Sequence, residues 1–263
     1  MISSLLYDLN HAALWQRRIP VWDRSVRAAS LDRLVYLALH RFGWMGEQES
    51  RLLRSLIKPR MQIVDVGANI GLYALLFARL IGPEGCVFAF EPEPNLSAAF
   101  TENCRANHAS NIVPFALAAG NAPGRAAFRR ATFNSGDNGF ELNGAGSVQV
   151  EVVRVDDVLP VASVDFIKVD VQGHELAVFA GMEKLLAASQ DVRVLFEFSP
   201  AGLHAAQTAP EALLSFFSER DFRIYETEEP RLAEVSDFRQ LIRKLPCKRY
   251  TNLLASRTAV SLS

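Results

Sequence analysis

The sequence has 263 residues, of which 49% are hydrophobic and 22% charged, and its formal net charge is −1. This length fits one large domain or two small ones, and the charge pattern is that of a globular protein without the electrostatic signature of a nucleic-acid binder. The three cysteines form no CxxC pair and no Cys/His cluster at zinc-ligand spacing, which argues against a disulfide scaffold or a metal site and favours a cytoplasmic protein.

Residues 1–60 are predicted to form a helical extension. Apolar residues from Leu31 to Phe42 repeat at the three- and four-residue spacing of a helix, with Ser30 as the predicted N-cap, and a second helix is predicted over 48–57. The N-terminus has no basic residue ahead of its apolar part, and no apolar run approaches the roughly 20 residues of a membrane span. We therefore expect neither a secretory signal nor a transmembrane segment.

After residue 60 the pattern changes to an alternation of short apolar strands and amphipathic helices. The predicted elements are a strand over 63–66, a helix over 72–81, a strand over 86–90, a helix over 93–106 and a strand over 112–117. This alternation is typical of a parallel sheet covered by helices.

Residues 120–150 are rich in Gly and Asn and are predicted to be a loop or hairpin excursion. The remaining predicted elements are strands over 148–155, 166–170, 192–198, 222–226 and 252–255, and helices over 174–188, 211–220 and 235–244. The last two strands are joined without the usual long crossover, so the final strand is expected to pair antiparallel at one edge. The prediction is an α/β fold with a seven-stranded, mostly parallel sheet and helices on both faces.

A glycine-containing loop joins the first predicted strand of this sheet to its helix. Asp65 ends the strand, and Gly67 and Gly71 open the helix, where backbone can approach a ligand and free N–H groups are available. Asn69 occupies the position of the middle glycine of a GxGxxG dinucleotide fingerprint, and the third glycine is absent. An ordinary strand–turn–helix connection is the alternative interpretation.

Glu91 ends the next predicted strand, 20 residues after Gly71 and just before Pro92. An acidic residue at this place is suited to accept both hydroxyls of a ribose, although it could also be an exposed Glu that begins a loop. Asp65 and Glu91 occur without a GK[ST] motif or a nearby Arg that would bind phosphate. This combination suggests a cationic cofactor that lacks a pyrophosphate, and S-adenosylmethionine fits that description.

Five sequence blocks follow one another in chain order, namely DVGANIGLY, FEPEPN, VDDVL, DFIKVDVQGHE and LFEFSP. Together they resemble the FkbM family of S-adenosylmethionine-dependent methyltransferases, and the resemblance covers about residues 60–225. The resemblance implies a class I methyltransferase (Rossmann-like) sheet, which we assign to 61–263. Residues 1–60 lie outside the resemblance, and we expect them to be an extension or lid. The resemblance also implies methylation of a hydroxyl on a sugar, glycan precursor or other small natural product.

The resemblance also implies a set of cofactor-binding residues. Asp65, Gly67, Asn69 and Gly71 match the family's cofactor loop, Glu91 matches its ribose ligand, and Ala68, Tyr73 and Pro92 are included from the same blocks. The chain departs from the family's common DVEGxE motif. It has Gln172 in place of the Glu, which removes a carboxylate, and His174, which adds a titratable group.

The candidates for the chemistry follow the next two predicted strands. A sugar hydroxyl is a weak nucleophile, so a base that removes its proton speeds its reaction. Asp170, His174, Glu175 and Glu197 are the candidate bases, and Lys168 could pair with Asp170. The structural alternatives are a capping or exposed His174 and a Glu175 that only complements the helix dipole.

Two other functions compete with methyl transfer. A nicotinamide-dependent dehydrogenase is disfavoured by the missing third glycine and by the lack of a Tyr-xxx-Lys pair. A non-catalytic cofactor-binding module is the third hypothesis, because Gln172 and His174 alter the motif. The acceptor is expected to be shaped by residues 1–60 and 120–150.

Overall fold

The computed structural model describes residues 19–21, 24–27, 47–129, 139–140, 147–227, 232–245 and 250–260. The predicted helix that includes Leu31 and Phe42 lies outside these residues, as does Cys247. No helix within the described residues is both long enough and apolar enough to cross a bilayer.

The described elements alternate between strands and helices over most of the chain. In chain order they are β1 (Ile19–Val21), β2 (Arg24–Val26), α1 (Glu47–Leu56), β3 (Gln62–Val66), α2 (Leu72–Ile81), β4 (Cys86–Phe90), α3 (Pro94–Ala106), β5 (Ile112–Phe115), β6 (Ala118–Ala119), β7 (Gly124–Arg129), β8 (Gly139–Phe140), β9 (Ser147–Val153), α4 (Val155–Val158), β10 (Phe166–Val169), α5 (Glu175–Ala180), α6 (Glu183–Ala188), β11 (Arg193–Phe198), α7 (Pro200–Ala205), α8 (Pro210–Ser218), β12 (Arg223–Glu226), β13 (Ala233–Glu234), α9 (Phe238–Lys244) and β14 (Thr251–Ser256).

Eight strands of the described chain form the main sheet, in the order β13-β12-β14-β11-β10-β3-β4-β5. The five strands from β11 to β5 in this order pair in parallel. The predicted seven strands are present, and the two-residue β13 is the eighth. The last strand, β14, is antiparallel as predicted, but it lies between β11 and β12 rather than at an edge. The chain between β12 and β14 forms β13 and α9, which gives it the length to return into the sheet.

The central strands β3, β4, β10 and β11 are buried on both faces, which explains why they are mostly apolar runs. Successive side chains of β3 point to opposite faces, so that Ile63 belongs to one core cluster and Val64 to the other. The first cluster packs α1, α2 and α3 on the sheet, and the second packs α5, α6 and α8 on it. Helices therefore cover both faces, as the sequence predicted.

The helix predicted over 174–188 is two helices, α5 and α6, because an acidic side chain from α4 accepts hydrogen bonds from the backbone in the first turn of α6. The carboxylate of Asp156 accepts hydrogen bonds from Lys184 N at 3.0 Å and Leu185 N at 2.9 Å. Asp156 N in turn donates to the carbonyl of Gly181 at 3.0 Å. These bonds begin a new helix at Glu183, where the sequence alone predicts continuation.

The predicted excursion over 120–150 contains strands of a second, smaller sheet in the order β6-β9-β7-β8. The strand predicted over 148–155 is β9, which ends earlier because α4 begins at Val155. The N-terminal prediction is confirmed at α1 but wrong at β1 and β2, which are strands that pair antiparallel. Helix α7 was not predicted, although Ser199 caps it by accepting a hydrogen bond from Gly202 N.

We expect Gly181→Ala to destabilise the fold, although Ala usually favours a helix over Gly. A Cβ at Gly181 would lie 1.9 Å from the carbonyl oxygen of Gly120, so α5 or the chain after β6 would have to move. Overpacking of this kind costs about 1–3 kcal/mol. Urea denaturation of the variant checks the prediction, with Gly124→Ala as a control because nothing lies within 4 Å of a Cβ there. Equal free energies of unfolding for parent and Gly181→Ala would contradict it.

Candidate active site

The predicted site residues lie at the carboxyl ends of four adjacent parallel strands of the main sheet. Asp65 lies in β3, Glu91 follows β4, Asp170 follows β10 and Glu197 lies in β11. Ligands of open α/β sheets bind outside these strand ends. The parallel register therefore brings together residues that are up to 132 positions apart in the chain.

The loop after β3 has a left-handed backbone at Gly67, Asn69 and Gly71, with φ of 86°, 54° and 87°. The structure gives both glycines a packing reason that the sequence did not predict. A Cβ at Gly67 would lie 2.0 Å from the carbonyl oxygen of Asp170, and one at Gly71 would lie 2.1 Å from the ring of Phe100. The loop is therefore packed directly against the end of β10 and against α3.

Asp65 is fully buried, and neither of its carboxylate oxygens has a hydrogen-bond partner among the described residues. Burial raises its pKa to about 6, although the Lys168 ammonium opposes the shift. Lys168 is its neighbour in the register of β3 and β10. An ionised, buried and unbonded carboxylate is costly, so this position favours a cationic or hydrogen-bond-donating ligand.

Glu91 is buried rather than exposed, which excludes its interpretation as a loop-starting surface residue. Its Oε2 accepts a hydrogen bond from Asn69 N and its Oε1 accepts one from Glu93 N, both at 2.9 Å. Burial raises its pKa to about 7. A carboxylate offers about four lone-pair sites, so each oxygen retains capacity for a further donor.

Lys168 and Asp170 form the pair that the sequence suggested. Lys168 is buried, and its Nζ lies 3.1 Å from Oδ2 of Asp170 and 4.2 Å from the ring centroid of Tyr73. The ammonium is thus held between a carboxylate and an aromatic face, which stabilises its charged form. This places Tyr73 against Lys168.

Glu175 shapes the turn after β10. Its Oε1 accepts hydrogen bonds from Gly173 N at 3.0 Å and Val171 N at 3.4 Å, while its buried Oε2 has no partner among the described residues. Burial raises its pKa to about 7, and nearby Asp170 raises it further. Its role is therefore larger than that of a first-turn carboxylate near a helix dipole.

Asp170, Glu175 and Glu197 form a group that we call the carboxylate cluster. Glu197 is buried, and its pKa is raised to about 8, first by burial and then by the charges of Asp170 and Glu175. The charge of Lys168 and the polar Gln172 side chain oppose this rise. The charged form of Glu197 is therefore less favoured than that of an exposed Glu.

His174 lies at the N-cap position of α5, directly before Glu175. Its side chain makes no capping hydrogen bond to the helix, so the capping interpretation is wrong. It is partly buried rather than exposed, and burial lowers its pKa. The neutral imidazole, which can accept a proton, is therefore the favoured form near pH 7.

Asn103 of α3 makes hydrogen bonds at the site that the sequence analysis did not predict. It is fully buried, and its amide donates to the carbonyl of Ile70 at 2.9 Å and to that of Arg27 at 3.0 Å. Its Oδ1 accepts a hydrogen bond from Arg27 N at 2.8 Å. Asn103 therefore joins the glycine loop to the segment after β2. A polar residue on the buried face of an amphipathic helix was the available signal.

Comparisons with known proteins agree on one kind of protein. Residues 65–224 match the methyltransferase FkbM domain. The hexuronic acid methyltransferase AglP of Haloferax volcanii is 30% identical over 145 residues, which cover 54% of this chain and 58% of that protein. The 2-O-methyltransferase NoeI of Sinorhizobium fredii is 28% identical over 184 residues, which cover 62% of this chain and 74% of that protein. The match to AglP thus spans little more than half of that protein's length.

A solved structure from Clostridium thermocellum, assigned as an rRNA methylase, has the same fold. It superposes with a TM-score of 0.50 at 12% identity and covers 81% of this chain and 96% of that one. At such low identity the likeness concerns the fold alone. Together with the sheet order, it confirms the predicted class I methyltransferase architecture.

We expect Asp65→Asn to change the pH dependence of stability. The folded protein holds the Asp65 proton up to a pH of about 6, against an ordinary pKa of 3.8. Its stabilising contribution is therefore present below pH 4 and is lost as the pH rises towards 6. Urea denaturation should show that the free energy of unfolding of Asp65→Asn, compared with that of the parent, is higher at pH 7.5 than at pH 4.5. If variant and parent differ in free energy of unfolding by the same amount at both pH values, the raised pKa of Asp65 is contradicted.

Proposed function

This chain belongs to the methyltransferase FkbM family, and on that premise we propose that it transfers a methyl group from S-adenosylmethionine to a hydroxyl group. We propose a small-molecule or glycan acceptor, such as a sugar, a glycan precursor or another small natural product, and no nucleic acid. The named substrate of AglP, a hexuronic acid, and the 2-O position named for NoeI support this class of acceptor. Family membership argues against the nicotinamide-dependent alternative.

The observation that carries the proposal is the buried carboxylate of Asp65 beside the glycine loop, whose oxygens have no hydrogen-bond partner within the described part of the chain. S-adenosylmethionine has an ammonium, a sulfonium and a ribose, so it combines positive charge with hydroxyl donors. Asp65 would face the positive charge and Glu91 the ribose, while Gly67, Ala68, Asn69 and Gly71 would form the wall of the site. We retain Tyr73 and Pro92 as further contacts because they continue these two segments. When bound, the cofactor supplies an electrophilic methyl group on its sulfonium.

The carboxylate cluster provides the groups that could take the proton of the acceptor. Asp170 is paired with the Lys168 ammonium, whereas Glu197 is desolvated and holds its proton up to about pH 8. The two carboxyl groups therefore have different surroundings, which suits them to different acid–base roles. We propose Asp170 as the first candidate for the base that orients and deprotonates the hydroxyl. Glu197 and neutral His174 are the other candidates, and Lys168 holds Asp170 in place.

We further propose that residues 1–60 form a lid on a methyltransferase domain over 61–263, in the cytoplasm. The contacts of Asn103 with Ile70 and Arg27 support this arrangement, because they tie the N-terminal segment to the glycine loop. Asn107 adds two hydrogen bonds to the backbone of Ser25, at 3.0 and 2.7 Å. The absence of disulfide and zinc-site spacing among the three cysteines favours the cytoplasm.

Cofactor binding by the parent and by Asp65→Asn and Glu91→Gln tests the cofactor assignment. Each variant removes a negative charge that would accept from a donor on the ligand. Because such hydrogen bonds contribute about 1.5–3 kcal/mol, we expect S-adenosylmethionine affinity to fall by roughly 10- to 150-fold in calorimetry. Asp165→Asn is the matched control, because Asp165 precedes β10 and so lies at the amino end of that strand, at the opposite end from the site. Affinities of both site variants within threefold of the parent would exclude the assignment.

Turnover by variants of the carboxylate cluster tests the chemistry. A panel of hydroxyl acceptors that includes hexuronic acid glycosides is assayed for methylated product and S-adenosylhomocysteine by mass spectrometry. If Asp170 is the base, Asp170→Ala should lower kcat by about 10²–10⁴-fold with nearly unchanged cofactor affinity. Glu197→Gln and His174→Ala report on the other candidates. If all three variants turn over a confirmed acceptor within threefold of the parent, the base lies elsewhere.

A further inference from the structure

Two asparagines of α3 bind the backbone of the 24–27 segment as a neighbouring strand would. Asn103 Oδ1 accepts a hydrogen bond from Arg27 N at 2.8 Å, and its amide donates to the carbonyl of Arg27 at 3.0 Å. Asn107 repeats this pattern at Ser25, with Oδ1 accepting from the backbone N at 3.0 Å and the amide donating to the carbonyl at 2.7 Å. Each asparagine thus forms the pair of hydrogen bonds that two residues exchange in an antiparallel ladder.

The spacing of the two asparagines matches that of the extended segment. Asn103 and Asn107 are four residues apart on one face of α3, which corresponds to about 6 Å along the helix axis. Ser25 and Arg27 are two residues apart in an extended chain, which corresponds to about 6.7 Å. Val26, which lies between them, is buried in the core cluster that contains α1, α2 and α3. Polar and apolar contacts therefore dock the segment on α3 together.

Asn103 also reaches the glycine loop. Its amide donates a further hydrogen bond, at 2.9 Å, to the carbonyl of Ile70, a fully buried residue. The ring of Phe100, three residues earlier on α3, fills the space in which a Cβ at Gly71 would lie. A buried carbonyl that loses its hydrogen-bond partner costs free energy, so the amide of Asn103 stabilises this conformation of the loop.

The two sets of contacts share one planar side-chain amide. The backbone of Arg27 engages Oδ1 and one N–H of Asn103, and this fixes the orientation in which the other N–H is directed to Ile70. A side chain that one partner has already ordered loses less conformational entropy when it binds the second partner. Docking of the segment and ordering of the loop therefore favour one another.

We propose that Asn103 is a positioning residue of the cofactor site, which couples docking of the 24–27 segment to the conformation of the glycine loop. Such coupling is reciprocal, so a ligand that orders the loop also strengthens docking of the segment. The inference rests on the proposed function for the identity of that ligand, S-adenosylmethionine, whereas the coupling itself is a property of the protein without ligands. Asn103 acts through the backbone of the loop and need not touch the cofactor.

Amide hydrogen exchange followed by NMR tests the coupling in the protein without cofactor. The N–H groups of Ser25 and Arg27 report on the segment. The N–H of Gly71, which donates to the carbonyl of Ala68 at 2.8 Å, reports on the loop. Exchange rates of such groups measure the free energy of local opening, so they separate the two places from global unfolding.

Three variants distinguish the coupling from a general loss of stability. Asn103→Ala removes the hydrogen bonds to both the segment and the loop, whereas Asn107→Ala removes those to Ser25 and leaves the one to the loop. Asn111→Ala is the matched control. The amide of Asn111 also donates to two carbonyls, both at 2.8 Å, but these belong to Ala78 and Gly82 at the other end of α2.

We expect exchange at Arg27 and Gly71 to become faster in Asn103→Ala by about 2- to 10-fold, because each place loses a hydrogen bond of ordinary strength. In Asn107→Ala, exchange should become faster at Ser25 and also, by about twofold or more, at Gly71. Asn111→Ala should leave all three rates at the parent values. Exchange at Gly71 that stays within about 1.5-fold of the parent in Asn107→Ala would overturn the proposal. If Asn103→Ala does not fold, Asn103→Leu replaces it, and Asn107→Ala decides in either case.

Binding of S-adenosylmethionine gives the readout that a merely structural role would not change. In calorimetry the affinity should fall by about 2- to 10-fold in Asn103→Ala and by a smaller factor in Asn107→Ala, with no change in Asn111→Ala. Saturating cofactor should slow exchange at Arg27 in the parent. Exchange at Arg27 that does not respond to bound cofactor would overturn the proposal. A parent that binds no cofactor would refute the proposed function and leave the coupling to be decided by exchange at Gly71.

Discussion

The main constraint on this structure is that carboxyl groups are buried where parallel strands end. Asp65, Glu91 and Glu197 are buried at the carboxyl ends of strands in the main sheet, and Glu175 is buried at the start of α5. Burial is the largest cause of the raised pKa at each of the four. Removing negative charge from water destabilises the free protein, and the Lys168 ammonium offsets only part of that cost. A cationic ligand with hydroxyl donors would relieve it, so the same groups that weaken the free fold favour the proposed cofactor.

Close backbone contacts fix the positions of the segments that follow these strand ends. The carbonyl of Asp170 fills the space where a side chain at position 67 would lie, and the carbonyl of Gly202 does the same at Gly173. The loop after β3 thus packs on the end of β10, and the turn after β10 packs on α7, without intervening side chains. Close packing of this kind suits a site that must align a cofactor and an acceptor.

Local signals were sufficient for the half of the fold that carries the glycine loop. Helix α2 has the predicted bounds, because its apolar periodicity and Gly82 are both local to it. Contacts distant in sequence decided the features that were wrong. Asp156 divides the helix predicted over 174–188 from a position 28 residues before Lys184, and β14 enters the sheet beside β11 through pairings that no local pattern encodes. In the site, motif position predicted Glu91. The hydrogen bond from the Gln172 side chain to Asp170 was not predicted, because it depends on a left-handed backbone at a non-glycine residue.

The central claim is that the buried carboxyl groups are held for a cationic cofactor, and proton exchange on binding tests it most directly. Titration calorimetry of S-adenosylmethionine at pH 6.5, in buffers of different ionisation enthalpy, counts the protons exchanged. A positive charge near Asp65 and hydroxyl donors at Glu91 would lower the pKa values of about 6 and about 7, so binding should release protons. The release should be smaller with S-adenosylhomocysteine, which lacks the sulfonium charge. Binding without proton release, or with proton uptake, would contradict the account.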